Sequence, residues 1–132
     1  MILAAPITDS SAQAGAQPVA ITYRLPAELQ CGHPHASSLT LTFPKGMVLP
    51  STVPSADVVV DRQAAATVTR KGRQLAVGIT PPSGVQCDVI SQGTVTVVVE
   101  KDAGIGNPKA PGTYRFSGRI DGHTTTVKIR LS

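Results

Sequence analysis

The sequence predicts an all-β domain, a sandwich of short antiparallel strands. Three observations carry that prediction. Val and Thr are abundant, whereas Leu-rich runs at helical spacing are missing. Turn formers, 12 Gly and 11 Pro, punctuate the chain at short intervals. Between them apolar and polar residues alternate, the signature of half-buried strands. At 132 residues there is room for one domain with one ordinary core. With 3% aromatic residues and no Trp, that core has to be built from Val, Ile, Leu and Ala. No apolar run approaches the roughly 20 residues that a membrane helix needs.

The first segment, residues 1–18, reads as a flexible N-terminal arm or the remnant of a signal peptide. It lacks a basic n-region, its apolar run is short, and its Ser, Ala, Gln and Gly offer little to a core. The folded domain is expected over residues 19–132. "VAITYRL" opens it, with Val19, Ile21, Tyr23 and Leu25 on one face and Thr22 and Arg24 on the other. "SSLTLTF" repeats the pattern with Leu39, Leu41 and Phe43. The Pro-rich connector "PKGMVLPSTVP" then excludes a helix or a central strand.

Three short runs follow, "DVVVD" (57–61), "AATVT" (65–69) and "RQLAVGI" (73–79), the last two joined by a turn in which Gly72 can take positive φ. Residues 81–93 read as a loop. "TVTVVVEK" (94–101) reads as a central strand, because Val97, Val98 and Val99 make both faces apolar. Finally, "TYRFSGRI" and "HTTTVKIRL" flank Asp121-Gly122, the signature of a two-residue hairpin turn. That turn sets Ile120 opposite His123, Phe116 opposite Val127 and Tyr114 opposite Ile129, so turn and hydrophobic pattern agree. Seven or eight such strands, with no helix and no internal repeat, assemble as an immunoglobulin-like β-sandwich, with a small closed barrel as the other all-β solution.

"GIGNPKAPGTYRF", residues 104–116, begins like a phosphate-binding loop. The third glycine of the dinucleotide fingerprint is missing, since position 109 is Lys, and a strand rather than a helix follows. The structural reading accounts for each residue: Gly104 and Gly106 permit unusual backbone angles, Ile105 plugs the core edge, Asn107-Pro108 starts a turn, and Pro111-Gly112 sets a type II turn that launches the next strand. Together with "LTFPKGMVLPSTVPSADVVVD" (41–61), this stretch resembles the immunoglobulin-like domains of bacterial cell-surface and S-layer-associated stalk proteins. There a strand ending in Phe-Pro-x-Gly leads to a Pro-containing connector and a Val-rich strand, and a "GIxNPxxPGxY" turn opens a terminal strand. Phe43-Pro44-Lys45-Gly46 and Gly104 to Tyr114 are the most specific parts of the match. The resemblance implies an extracellular module with structural or adhesive duty and no catalytic residues.

Cys31 in "LQCGHPH" and Cys87 in "VQCDV" sit in different loops, each just ahead of a strand. A disulfide between them would staple one end of the sandwich and suit secretion. Two separate thiols are the alternative. A Cys31, His33, His35, Cys87 metal set is a third reading, but the alternate Cys-x-His-x-His spacing departs from that of zinc sites. No cofactor is expected, and no nucleophile elbow or comparable catalytic motif is present. A Lys–Asn crosslink has one candidate, Asn107, which the turn reading keeps out of the core.

The formal charge of +4 is a mild bias toward anionic partners. In the terminal hairpin Arg115, Arg119, Lys128 and Arg130 all fall on the outward face, with Arg115 directly opposite Lys128. Such a stripe either guards an exposed sheet edge or meets a polyanion. With no aromatic residue interleaved, it offers nothing for base stacking, which disfavours nucleic acid. The expected function is therefore a non-catalytic structural or adhesive module of a bacterial surface protein, with cell-wall polymer, glycan or a neighbouring subunit as partner. The alternative is a homo-oligomerising assembly subunit, a virion decoration or extracellular filament protein, whose N-terminal arm reaches a neighbour.

Overall fold

The computed structural model describes residues 6–25, 38–60, 63–65, 67–78, 94–120 and 123–132. Among them the strands are β1 (Ile7–Asp9), β2 (Ile21–Leu25), β3 (Ser38–Thr42), β4 (Val58–Val60), β5 (Gln63–Ala64), β6 (Thr67–Lys71), β7 (Gln74–Gly78), β8 (Val95–Val99), β9 (Gly112–Ile120) and β10 (His123–Leu131). Single 3-10 turns occupy Ser55–Asp57 and Lys101–Ala103. The strands form two antiparallel sheets, ordered β1-β2-β8-β4-β5 and β10-β9-β3-β7-β6. Among the described residues these are two separate sheets rather than one closed barrel. β8 is the middle strand of its sheet, as its run of valines predicts.

Alternation decides which side chains meet. Ile21, Tyr23 and Leu25 of β2, Val95, Val97 and Val99 of β8, and Val58 and Val60 of β4 all point inward and are buried. Leu39 and Leu41 of β3, Leu75 and Val77 of β7, and Phe116 and Ile120 of β9 face them from the other sheet. An aromatic chain crosses the interior. Tyr23 meets Phe43 edge-on, with ring centroids 6.1 Å apart, and Phe43 meets Phe116 in the same way at 6.5 Å. Such pairs add about 0.5–1.5 kcal/mol beyond their burial, so three of the chain's few aromatic rings tie the two layers together.

The hairpin register matches the sequence pattern, with Ile120 opposite His123, Phe116 opposite Val127 and Tyr114 opposite Ile129. Gly72 turns the β6–β7 hairpin at φ +59. The paired residues Lys71 and Gln74 show that Gly72 and Arg73 make the turn, so β6 runs two residues further than the "AATVT" reading.

Three expectations need correction. Residues 6–18 are not a flexible arm. β1 pairs with β2, Ile7 opposite Tyr23 and Asp9 opposite Ile21. The following residues are tied down by their backbone: Ala14 N–H donates to the Ser132 carbonyl (3.0 Å), Gly15 N–H to Pro108 (2.8 Å) and Val19 N–H to Ile105 (2.8 Å). Small polar side chains contribute little to a core, but they leave the main chain free to bond. Asn107 is not in an exposed turn. It is 1% exposed, and its Nδ2 donates to the carbonyls of Ser11 (3.0 Å) and Gln13 (2.9 Å). Pro111-Gly112 does not form a type II turn either, because Gly112 already lies in β9, paired with Leu131.

The two segments that carry the family resemblance meet in space. Val48, just beyond Phe43-Pro44-Lys45-Gly46, exchanges backbone hydrogen bonds with Gly106 at 2.9 and 3.0 Å. Ile105 is fully buried beside them. Gly104 takes the left-handed conformation at φ +80 that ends the second 3-10 turn. The Gly-x-Gly stretch is a packed joint in which the backbone satisfies itself.

Candidate functional site

The outer face of the β10-β9-β3-β7-β6 sheet carries the charge. Arg115, Arg119, Lys128 and Arg130 are all exposed there, and Arg115 lies directly opposite Lys128. Arg119 stands between Thr124 of β10 and Thr40 of β3. The same row continues through Ala76 to Thr69. The neighbouring row runs Thr126, Ser117, Thr42, Gln74, Lys71. Neighbouring strands are about 4.8 Å apart and alternate residues about 6.8 Å, so the cations are held on a short-spaced lattice of small hydroxyl side chains.

The five strands of this sheet contain no Asp or Glu. Among the described residues the carboxylates lie elsewhere, with Asp57 and Asp102 in the 3-10 turns, Glu100 between β8 and the second turn, and Asp9 on β1. No described carboxylate neutralises the four cations, and Lys71 adds to them from the far edge strand. Like charges opposite one another cost a few tenths to about 1 kcal/mol, so the Arg115–Lys128 pair is a small net penalty to the fold. The sequence singled out the hairpin cations. It did not bring in Lys71 or the Thr rows of β3 and β6, because the register across the two intervening strands cannot be read from alternation alone.

Two polar groups point into the interior. Asp9 points inward from β1. Burial pushes its carboxyl above the ordinary value, while a hydrogen bond from Ser11 N–H to Oδ1 (3.0 Å) pulls the other way. The Tyr23 hydroxyl is fully buried, and burial, together with the Asp9 charge, raises it well above a normal phenol. Neither the Tyr23 hydroxyl nor Asp9 Oδ2 has a hydrogen-bond partner among the described residues. These groups sit on β1 and β2, at the edge of the sheet.

Cys31, His33, His35 and Cys87 lie outside the described residues, so the disulfide and the metal reading both stay there. The strand ends on either side are described. Leu25 pairs with Val95, and Ser38 with Gly78, so the chain leaves for residues 26–37 and 79–93 from neighbouring strand ends.

No protein-family model and no curated protein sequence matches the chain. Among solved structures it is similar to one described as the crystal structure of BslA, a bacterial hydrophobin. The two share 18% identity and a TM-score of 0.52, over 96% of this chain and 92% of that one. At that identity the likeness speaks for the all-β architecture.

Proposed function

We propose that the chain is a non-catalytic, immunoglobulin-like structural module of an extracellular bacterial surface protein, and that its cationic outer face holds an anionic cell-wall polymer or glycan. The observation that carries this reading is the segregation of charge, with Arg115, Arg119, Lys128, Arg130 and Lys71 on one sheet whose strands contain no carboxylate. Flat rows of Thr and Ser between the cations suit hydroxyl-rich chains, which offer many weak hydrogen-bond partners and no deep feature to fill a pocket. The resemblance to stalk-protein domains and the architectural likeness to a bacterial hydrophobin both support a place at the cell surface. An apolar contact face is the weaker alternative, because the one large hydrophobic exposed among the described residues is Val48, at 37%.

Polymer binding tests the proposal. The protein should bind poly(glycerol phosphate) or polygalacturonate at low ionic strength and lose that binding as salt shortens the screening length from about 30 Å at 0.01 M to about 8 Å at 0.15 M. Neutral dextran should not bind. The Arg115→Ala, Arg119→Ala, Lys128→Ala, Arg130→Ala variant should lose binding while keeping its thermal transition. Equal binding to dextran, or indifference to salt, would sink the reading.

A further inference from the structure

We infer that the free edge of β10 is a docking site for an extended peptide segment that alternates acidic and apolar residues. β10 is nine residues long and, among the described residues, pairs with β9 alone. Ile120 and His123 close the hairpin as partners across a two-residue connection, which makes them a hydrogen-bonded pair. Alternation then directs the N–H and C=O groups of Thr125, Val127 and Ile129 toward β9. Those of Thr124, Thr126, Lys128 and Arg130 point away from the sheet.

The end of the same edge already takes a strand. Ser132 shares the parity of those four residues, and its backbone is bonded on both sides by the N-terminal segment: Ser132 N–H donates to Ala12 (2.9 Å), and Ala14 N–H donates to Ser132 (3.0 Å). The chain thus pairs main chain to main chain at the end of the edge, and among the described residues none pairs with the outward-pointing groups of positions 124–130. The strand has no proline and no bulge interrupts its register with β9, so its guard is charge alone, and that guard repels cations but not an acidic strand.

Charge selects the occupant. Lys128 and Arg130 project from the edge strand, with Arg115 and Arg119 beside them on β9. A second copy of β10 would set cation against cation, which costs free energy, whereas a strand with acidic residues on that face is attracted. The opposite face of β10 asks for apolar side chains. Val127, Ile129 and neighbouring Tyr114 pack on the core but stay only half-buried, so alternate Val or Ile residues of an added strand extend the apolar layer. Backbone bonds supply affinity and the alternating side chains supply specificity, as in other cases of strand addition. The cations are shared with the proposed polymer face, but the backbone bonds are not, so exchange at the edge amides tells strand addition from polymer binding.

Amide hydrogen exchange on the isotope-labelled whole chain tests it, with a synthetic peptide alternating Val and Glu and a block peptide of the same composition as probes. The alternating peptide should slow exchange at Thr124, Thr126, Lys128 and Arg130 by about tenfold or more, the size expected when a solvent-facing amide gains a hydrogen bond. It should leave Val127 and Ile129 unchanged. The double variant Lys128→Glu, Arg130→Glu should exchange that preference for a peptide alternating Val and Lys. Thr126→Pro, which an outward-facing edge position tolerates, should weaken the alternating peptide by about tenfold. Two results overturn the inference. One is equal binding of both peptides with no slowing at the four amides, which would leave simple charge attraction. The other is slowing of the same amides as protein concentration rises without peptide, which would make a second copy the occupant.

Discussion

The two sheets have the same inside and different outsides. Inward, both present mainly Val, Ile, Leu and aromatic residues, buried in the central strands and half-buried along β10. Outward, the β1-β2-β8-β4-β5 sheet shows a row of Thr8, Thr22, Val98, Val59 and Ala64, with Arg24 beside Thr96 as its cation. The β10-β9-β3-β7-β6 sheet shows Thr rows set with Arg115, Arg119, Lys128, Arg130 and Lys71. A uniform interior asks only that the outward positions tolerate water and a pleated backbone, which Thr, Val, Arg and Lys all do. The choice among them is therefore free to serve something other than folding, and the asymmetry is what the proposed polymer binding rests on.

The likeness of the interiors is easiest to break at Gly118. It lies on the inner face of β9, where a Cβ would come within 3.0 and 3.1 Å of the Leu25 methyl groups and 3.2 Å of the Tyr23 ring. Its neighbours come from the opposite sheet, so any side chain there pushes the layers apart. Gly118→Leu should cost about 3 kcal/mol and Gly118→Ala about 1 kcal/mol, read from denaturant unfolding. A tolerated Leu would mean that the sheets do not approach as closely as the neutral and cationic halves do here.

The next largest effect separates the sheets at their margin rather than their centre. Asn107 binds the carbonyls of Ser11 and Gln13, and its own N–H donates to Ala16 at 2.8 Å. Asn107→Ala leaves two partly buried acceptors without a donor, for about 2 kcal/mol. It should also speed proteolysis within residues 10–18 well before the rest of the domain is cut. Uniform loss of resistance across the chain would show that the segment is not a separable clasp.

A smaller change tests the cationic face directly, because stability and binding should move in opposite directions. Lys128 faces Arg115. Lys128→Glu turns a repulsive pair into an attractive one, for a gain of about 0.5 kcal/mol, while binding to an anionic polymer weakens. Arg24→Ala on the neutral sheet should leave that binding unchanged. Parallel losses of both stability and binding in Lys128→Glu would indicate that the cations serve the fold.

How much of this was legible beforehand follows from which signals are local. The inner faces of β2, β3 and β9, the terminal hairpin's register and the central place of β8 were all readable, because alternation and a two-residue turn are sequence-local facts. The docking of residues 6–18 was not, because main-chain hydrogen bonds from Ala14, Gly15 and Val19 leave no mark on side-chain composition. Asn107 was misplaced for the reverse reason. Asn-Pro is a strong turn signal, yet here the amide reaches across the fold to carbonyls 94 and 96 residues away. The hairpin cations were visible as a stripe, whereas the carboxylate-free face they belong to emerged only once five strands were ordered.

The smallest effect concerns how each sheet guards its edge. β10 carries cations on its outward face, while β1 ends in Asp9, an acid turned inward, a known means of discouraging added strands. Burial raises the Asp9 carboxyl above its ordinary value despite the hydrogen bond from Ser11. A carboxyl whose folded value lies above its unfolded one binds its proton more tightly in the native state. Its contribution to stability is therefore fully present below the unfolded value, near 3.8, and is lost as pH rises through the folded value. At pH 7 the buried charge is a cost. Asp9→Asn keeps an oxygen for the Ser11 N–H and removes the charge beside the Tyr23 hydroxyl. It should raise stability at pH 7 by about 0.5 kcal/mol, with the gain vanishing by pH 3, as thermal melts at the two pH values would show. A loss at pH 7 instead would mean that the ionised carboxylate has a favourable partner in solution. The inward charge would then be holding β1 in place, and the two edges would differ in their bonding as well as in their guard.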